Sequence, residues 1–280
     1  MTYSTLRKLA RAYALRLLPS PFGRYRRRYR FYEEIKNSEL ILNGRIRHSG
    51  VVLPLNLGDW IQYWMFMDGA YEKQLVDFLV HRVKGGTFFD VGANVGSYTM
   101  ALSKSARQIY SFEASPSNAQ ILNKFVALSG LSNIKVINRA VSNTSGEQIT
   151  IFSSPDTGGN NTRFHNFGSG GERVSTITLD QFVYEQQIDR IDVIKMDIEG
   201  SELAAFKGAH EILSKHRPML LVEFHAIVAK QAGWEVEELY ELISGYGYNA
   251  YELSRRKLIP FDRLRLPNPD FYANLIFLSH

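Results

Sequence analysis

The sequence contains no cysteine. Disulfide staples, thiolate metal sites and cysteine nucleophiles are therefore excluded. A reducing, cytoplasmic setting fits that absence. No apolar run reaches the ~20 residues that a membrane-spanning helix needs. The one candidate for a leader's apolar stretch, Ala12 to Leu18, is interrupted by Arg16, so no signal peptide is expected. Acidic residues are missing from the first 30 positions, which carry Arg7, Lys8, Arg11, Arg16, Arg24, Arg26, Arg27, Arg28 and Arg30. The 280 residues hold 33 Lys and Arg against 28 Asp and Glu, a net charge of +5. Removing those nine bases leaves 24 against 28 acids, a net of −4. Basicity thus belongs to an N-terminal arm, and the body is mildly acidic. No internal repeat or low-complexity segment is evident.

Within the arm, Leu6, Leu9, Ala10, Tyr13, Ala14 and Leu17 recur at helical spacing, with Arg7, Lys8, Arg11 and Arg16 on other faces. Pro19 and Pro21 stop that helix. A basic amphipathic helix suits the surface of an anionic membrane. The run Arg24-Tyr25-Arg26-Arg27-Arg28-Tyr29-Arg30 adds electrostatic attraction to such a surface, or suits nucleic acid. A helix packed on the body with a solvated basic face is the third possibility, and the sequence leaves all three open. The expected division is a basic arm and entry segment over residues 1–70, with helical pattern beginning at Tyr71, and one α/β domain over residues 71–280.

From residue 87 onward, strand and helix patterns alternate. Strands are expected at 87–91, 109–113, 134–138, 192–197, 219–224, 247–253 and 273–278. Helices are expected at about 97–106, 116–129, 201–215 and 235–244, with Ser115-Pro116 opening the second and Gly130 closing it. Such alternation predicts an α/β fold: a seven-stranded, mostly parallel sheet with helices on both faces. The last two strands lack a long intervening helix, which predicts an antiparallel pair. A polar insertion over about 148–179 begins and ends as strand, at Gln148 to Phe152 and Val174 to Leu179. Its Ser-, Gly- and Asn-rich middle is either a substrate lid or a passive loop.

Open α/β sheets bind ligands beyond the carboxyl ends of their strands. The first strand runs into Asp90-Val91-Gly92-Ala93-Asn94-Val95-Gly96 and then a helix start. The glycines permit a sharp turn and close approach of a nucleoside-bearing cofactor. Asp90, ahead of them, would repel a pyrophosphate and suit the cationic methionine end of S-adenosylmethionine. The second strand ends in Glu113, 21 residues after Gly92. That is where an acceptor for ribose hydroxyls is expected. NAD enzymes share the device, but their glycine pattern differs from Gly-Ala-Asn-Val-Gly. The third strand ends in Asn138-Arg139-Ala140, an edge for adenine.

The fourth strand ends in Ile194-Lys195-Met196-Asp197-Ile198-Glu199-Gly200-Ser201-Glu202. Alternation puts Lys195 and Asp197 on one side. Burying such groups is costly unless they pair. They therefore form a structural salt bridge, orient a substrate, move a proton, or hold a divalent ion, for which Asp197 and Glu199 offer oxygen ligands. The fifth strand ends in His225, the best-placed general base for deprotonating a hydroxyl. His165, in the insertion, is a weaker alternative.

The segments Phe89–Thr99, Phe112-Glu113-Ala114-Ser115-Pro116, Asn138–Ser142, Thr178-Leu179-Asp180 and Ile194–Glu202 occur in that order. Together they resemble the FkbM-type methyltransferases, from about Tyr71 to His225. The resemblance implies a Rossmann-like class I methyltransferase fold, S-adenosyl-L-methionine as cofactor, and O-methylation, often of sugars or natural products. It implies cofactor contacts at Asp90, Gly92, Asn94, Gly96 and Glu113; Tyr98 in the helix start and Ala140 at the adenine edge are further candidate cofactor contacts. It marks Lys195, Asp197, Glu199 and Glu202 as a charged cluster of open role, with metal dependence also open. Ala114-Ser115-Pro116 departs mildly from the family's usual sequence after the acid, and the basic arm lies outside the resemblance.

The expected function is O-methylation of a hydroxyl of a sugar, glycan, glycolipid or related natural product by a cytoplasmic enzyme, peripheral at the inner membrane face if the arm contacts lipid. RNA ribose methylation is the alternative. Base methylation fits less well: the fourth strand lacks an Asn-Pro-Pro-Tyr type sequence, and no cysteine serves carbon-5 chemistry. A non-catalytic cofactor-binding module and an NAD oxidoreductase complete the readings.

Overall fold

The computed structural model describes Ala12, Leu15 and residues 24–36, 38–153, 161–162 and 171–279. His165 and most of the amphipathic segment before residue 24 lie outside the described residues.

The chain enters through α1 (Arg24–Ile35) and an antiparallel hairpin, β1 (Ile41–Arg45) with β2 (Val52–Asn56). Helices α2 (Trp60–Asp68) and α3 (Lys73–Arg82) follow. Asp59 starts α2 by accepting the Gln62 amide at 2.7 Å, as an N-cap should. The expected helix after Tyr71 is α3, but the hairpin and α2 were not anticipated.

The core alternates as expected: β3 (Thr87–Val91), α4 (Ser97–Leu102), β4 (Gln108–Phe112), α5 (Pro116–Ser129) and β5 (Ile134–Ile137). The insertion contributes β6 (Ala140–Val141), β7 (Gln148–Ser153), β8 (Asn161–Thr162) and β9 (Glu172–Ile177). These four form a second sheet in the order β6-β9-β7-β8. The extended pattern expected up to Leu179 stops at Ile177. Thr178 instead caps α6 (Leu179–Glu185) by accepting the Gln181 amide.

After α6 come β10 (Val193–Met196), α7 (Glu202–Lys207), β11 (Met219–His225), α8 (Ala226–Gln231), α9 (Val236–Gly245), β12 (Tyr248–Ser254), β13 (Lys257–Pro260) and β14 (Tyr272–Ser279). The helix expected over 201–215 is broken into α7 and a π turn, Ile212–His216. At the break, a Cβ on Gly208 would lie 2.4 Å from the Ser142 carbonyl oxygen.

The main sheet has the order β13-β12-β14-β11-β10-β3-β4-β5. Strands β11, β10, β3, β4 and β5 are parallel neighbours, and β14 and β12 are antiparallel. All seven expected strands are present, and the short β13 extends the edge beyond them. Strand alternation divides the core by face. Phe88, Ile109, Val193 and Leu221 pack with Leu79, Met100, Leu122 and Phe125. Phe89, Phe112, Ile194 and Val222 pack with Phe182, Leu203, Phe206 and Leu239. Helices therefore cover both faces. The hairpin and α2 join the first cluster through Leu53, Leu55, Tyr63 and Phe66.

The arginine run does not form a free basic strip. Arg28 is buried, ion-paired to Asp68 at 2.8 Å, and donates to the carbonyls of Leu15 and Met67. Arg26, Arg27 and Arg30 are exposed.

Candidate active site

A cavity of about 290 Å³ opens at the carboxyl ends of β3, β4, β10 and β11. Reversal of strand order between β3 and β10 creates the crevice there.

One side is the glycine turn. Gly92 has φ 77°, and a Cβ on it would lie 1.8 Å from the Asp197 carbonyl oxygen. Only glycine lets the turn press so close to the end of β10. Asn94 follows with φ 50°, and its side-chain oxygen accepts the Val95 amide at 2.7 Å. Glu113 lies across the turn. Its carboxylate accepts the Asn94 amide at 2.7 Å and the Ser115 amide at 2.9 Å. Burial pushes Glu113 up to about 7 although both amides favour its anion. Gly92, Asn94, Tyr98, Glu113 and Ala140 all line the cavity, as does Arg139.

Two residues expected at the cofactor, Asp90 and Gly96, do not line the cavity. Asp90 is fully buried behind the wall, where it accepts the Thr99 amide at 3.0 Å and the Thr99 hydroxyl at 2.6 Å. It fastens α4 to β3 and faces Lys195 at 4.0 Å. Its Oδ1 has no hydrogen-bond partner, and burial raises its pKa against the pull of Lys195. Gly96 does not line the cavity either. It caps α4 with φ 91°, where a Cβ would meet Leu122 at 2.3 Å.

The opposite side is acidic. Lys195 is buried and donates to the Gly92 carbonyl at 2.7 Å and the Val91 carbonyl at 3.3 Å. It pairs with Asp197 at 3.3 Å. Burial alone would lower its pKa, but Asp197, Asp90 and Glu72 hold it above the usual lysine range. Glu202 is also buried. Its carboxylate accepts the Ile198 amide at 2.8 Å and the Gly200 amide at 3.0 Å, so it shapes the loop that carries Asp197 and Glu199. Burial raises Glu202 to about 7.

Asp197, Glu199 and Glu223 each bring a carboxylate oxygen to within 4.8 Å of the others. Burial and the Asp197 charge raise both Glu199 and Glu223. The trio can share a proton or accept a divalent cation through oxygen ligands. His225 adjoins it at the end of β11, with its ring edge-on to Tyr272 at 5.2 Å. Burial lowers the His225 pKa, with Asp197 opposing, which favours the neutral imidazole.

Glu72, Glu223, Tyr71 and Tyr272 were missed by sequence reasoning. Glu223 shares a strand face with His225, two positions on, and alternation could have found it. Tyr272 is brought opposite His225 by antiparallel pairing of β14 with β11. Glu72 accepts the Tyr98 hydroxyl at 2.7 Å and the Asn274 amide group at 2.8 Å. That contact spans 202 residues and has no local signal.

The strand order, the turn closed by Glu113 and a crevice at the switch point define a Rossmann-like class I methyltransferase. The chain belongs to the FkbM methyltransferase family, whose Methyltransferase FkbM domain matches residues 90–250. Over 179 residues it is 25% identical to the hexuronic acid methyltransferase AglP of Haloferax volcanii, covering 64% of this chain and 72% of that protein. It aligns with the crystal structure of an FkbM methyltransferase from Methylobacillus flagellatus KT at 16% identity and a TM-score of 0.46. That alignment takes in 99% of this chain but spans only 60% of the other. An O-methyltransferase from Bacillus cereus, solved in complex with SAH, aligns at 14% identity and a TM-score of 0.44, over 74% of this chain and 80% of that one.

Proposed function

We propose that this methyltransferase uses S-adenosylmethionine to methylate a hydroxyl group of a sugar, carried in a glycan or glycolipid. The observation that carries the reading is that one cavity joins the turn held by Glu113 to the acids and His225 at the ends of β10 and β11. The hexuronic acid methyltransferase of Haloferax volcanii supports a sugar acceptor.

The donor set fits the cofactor. Each Glu113 oxygen accepts one backbone amide and keeps lone-pair capacity for ribose hydroxyls. Gly92 and Ala93 present the turn to the cavity beside Glu113, and Arg139 and Ala140 flank the place expected for adenine. With Asp90 behind the wall, Glu72 and Asp197 provide the negative charge that suits a cationic methionine end. When bound, the cofactor supplies an electrophilic methyl group.

The chain's own residues then position and deprotonate the acceptor. His225, neutral at pH 7, takes the hydroxyl proton. The nearby charge of Asp197 stabilises the imidazolium that results. Tyr71, Tyr272 and Trp60 give the acceptor side its aromatic walls, which suit the apolar faces of a sugar ring.

Calorimetric titration with S-adenosylhomocysteine tests the cofactor assignment. Wild type binds, and Glu113→Ala binds on the order of 10- to 100-fold more weakly, as loss of a charged hydrogen-bond partner requires. No binding by wild type, or equal binding by both, overturns it. Transfer of a labelled methyl group to sugar acceptors, stable to mild base as an ether is, tests the rest.

A further inference from the structure

We propose that the outer face of α1 docks on an anionic lipid surface and sets the aromatic wall of the active-site cavity beside that surface.

Tyr25 and Tyr29 lie one turn apart on α1 and are 62% and 44% exposed. Neither ring is loose. Tyr25 stacks on Trp64 at 5.3 Å with an interplanar angle of 9°, and Tyr29 at 6.4 Å is nearly parallel to it. Tyr29 also meets Trp60 edge-on at 6.0 Å. The result is a fixed aromatic ledge, with Arg26, Arg27 and Arg30 exposed on the same helix. Arg28 is turned inward to Asp68 and anchors the helix on α2.

Amphipathic rings held at a surface beside arginines match the headgroup layer of a bilayer. The guanidinium fork matches lipid phosphate. The charge pattern also fixes an orientation. Residues 31–280 carry 24 bases against 28 acids and so are net negative and repelled by anionic lipid, whereas the arginine end of α1 is attracted; Glu33 and Glu34 stand at its other end.

Single-stranded RNA fits less well. Stacking of bases needs open ring faces, and Tyr25 already has one face taken by Trp64. Trp60 belongs both to this ledge and to the cavity wall, so a headgroup-borne acceptor would reach the site across one aromatic layer.

The test is co-sedimentation of the full-length protein with phosphatidylcholine vesicles, with and without phosphatidylglycerol. Binding is expected only with the anionic lipid, falling as salt rises. The triple variant Arg26→Gln/Arg27→Gln/Arg30→Gln should partition on the order of 100-fold less, about 5-fold for each arginine. Glu33→Gln/Glu34→Gln should not weaken binding. Unchanged thermal melting of the triple variant shows that its loss is not unfolding. Absence of binding to anionic vesicles overturns the proposal, as does binding undiminished in the triple variant. Salt-sensitive binding of single-stranded RNA without vesicle binding would assign the face to nucleic acid instead.

Discussion

Replacing Lys195 by methionine tests how the interior of the site is held. The substitution keeps most of the side chain's volume and removes the donor that reaches the Gly92 carbonyl at 2.7 Å, Val91 at 3.3 Å and Asp197 at 3.3 Å. It also leaves Asp90, which is 0% exposed, with an unpartnered Oδ1 and no cation 4.0 Å away. Removing one member of a buried ion pair costs about 3–5 kcal/mol. For a chain of this size that lowers Tm by roughly 10 °C. The deficit depends on pH in a defined direction. The folded pKa of Asp90 is already raised by burial, and Lys195 opposes the rise. Without Lys195 it rises further. A raised folded pKa gives stability that is present below the unfolded value, about 4, and is lost as pH rises through the folded value. The variant's deficit should therefore be largest near pH 8 and shrink toward pH 5, by about 1.4 kcal/mol for each unit the Asp90 pKa has moved. Lys195→Met/Asp90→Asn should recover much of the loss. Urea unfolding followed by circular dichroism at both pH values measures all three proteins. A single-variant deficit below about 1 kcal/mol, independent of pH and unrelieved by the second substitution, would refute the reasoning.

Two further outcomes follow from the titrating groups. His225→Gln should lower kcat about 100- to 10,000-fold without weakening S-adenosylhomocysteine binding; because burial lowers its pKa, the wild-type rate should be flat above pH 7 and fall in acid, and a profile unchanged in the variant would remove His225 from catalysis. Wild-type stability should decline from pH 6 to pH 8.5 in thermal melts, because Glu113 and Glu202, both raised to about 7, must ionise in place as pH rises; a rising Tm over that range contradicts their burial as acids.

The parallel core was legible because each of its signals is local. An apolar run ending in an acid, two glycines and a helix start mark β3 and α4 without knowledge of the rest. Ser115, Pro116 and Gly130 delimit α5 as expected. The entry segment was not legible for equally physical reasons. Helix α2 is apolar on nearly every face, with Gln62 to Met67 all buried, so it shows no amphipathic period. The hairpin carries Gly44 and Pro54, residues that argue against strands, and Pro54 pairs with Asn43 at the sheet's edge.

Within the site, residues at strand ends were found by position, and those supplied by distant elements were not. The direction in which the strand-end acid Asp90 points was not legible in the sequence. Its side chain points toward Thr99 and Lys195, a direction set by the packing of α4 on β3 and β10.

The missing side chain of Gly92 ties the two halves of the cavity into one rigid part. The Asp197 carbonyl occupies the space a Cβ would need, and Lys195 clamps the same turn from behind. A displacement of the turn on one side must carry the acid-bearing loop on the other with it. Neither can be reshaped alone. Changes in what the cavity admits must therefore come from its separate walls: Trp60 and Tyr71 on the entry side, and Ile149 and Ile151 on the inserted sheet. A substitution on those walls leaves the turn and the acid-bearing loop in place, whereas one on either of the latter moves both.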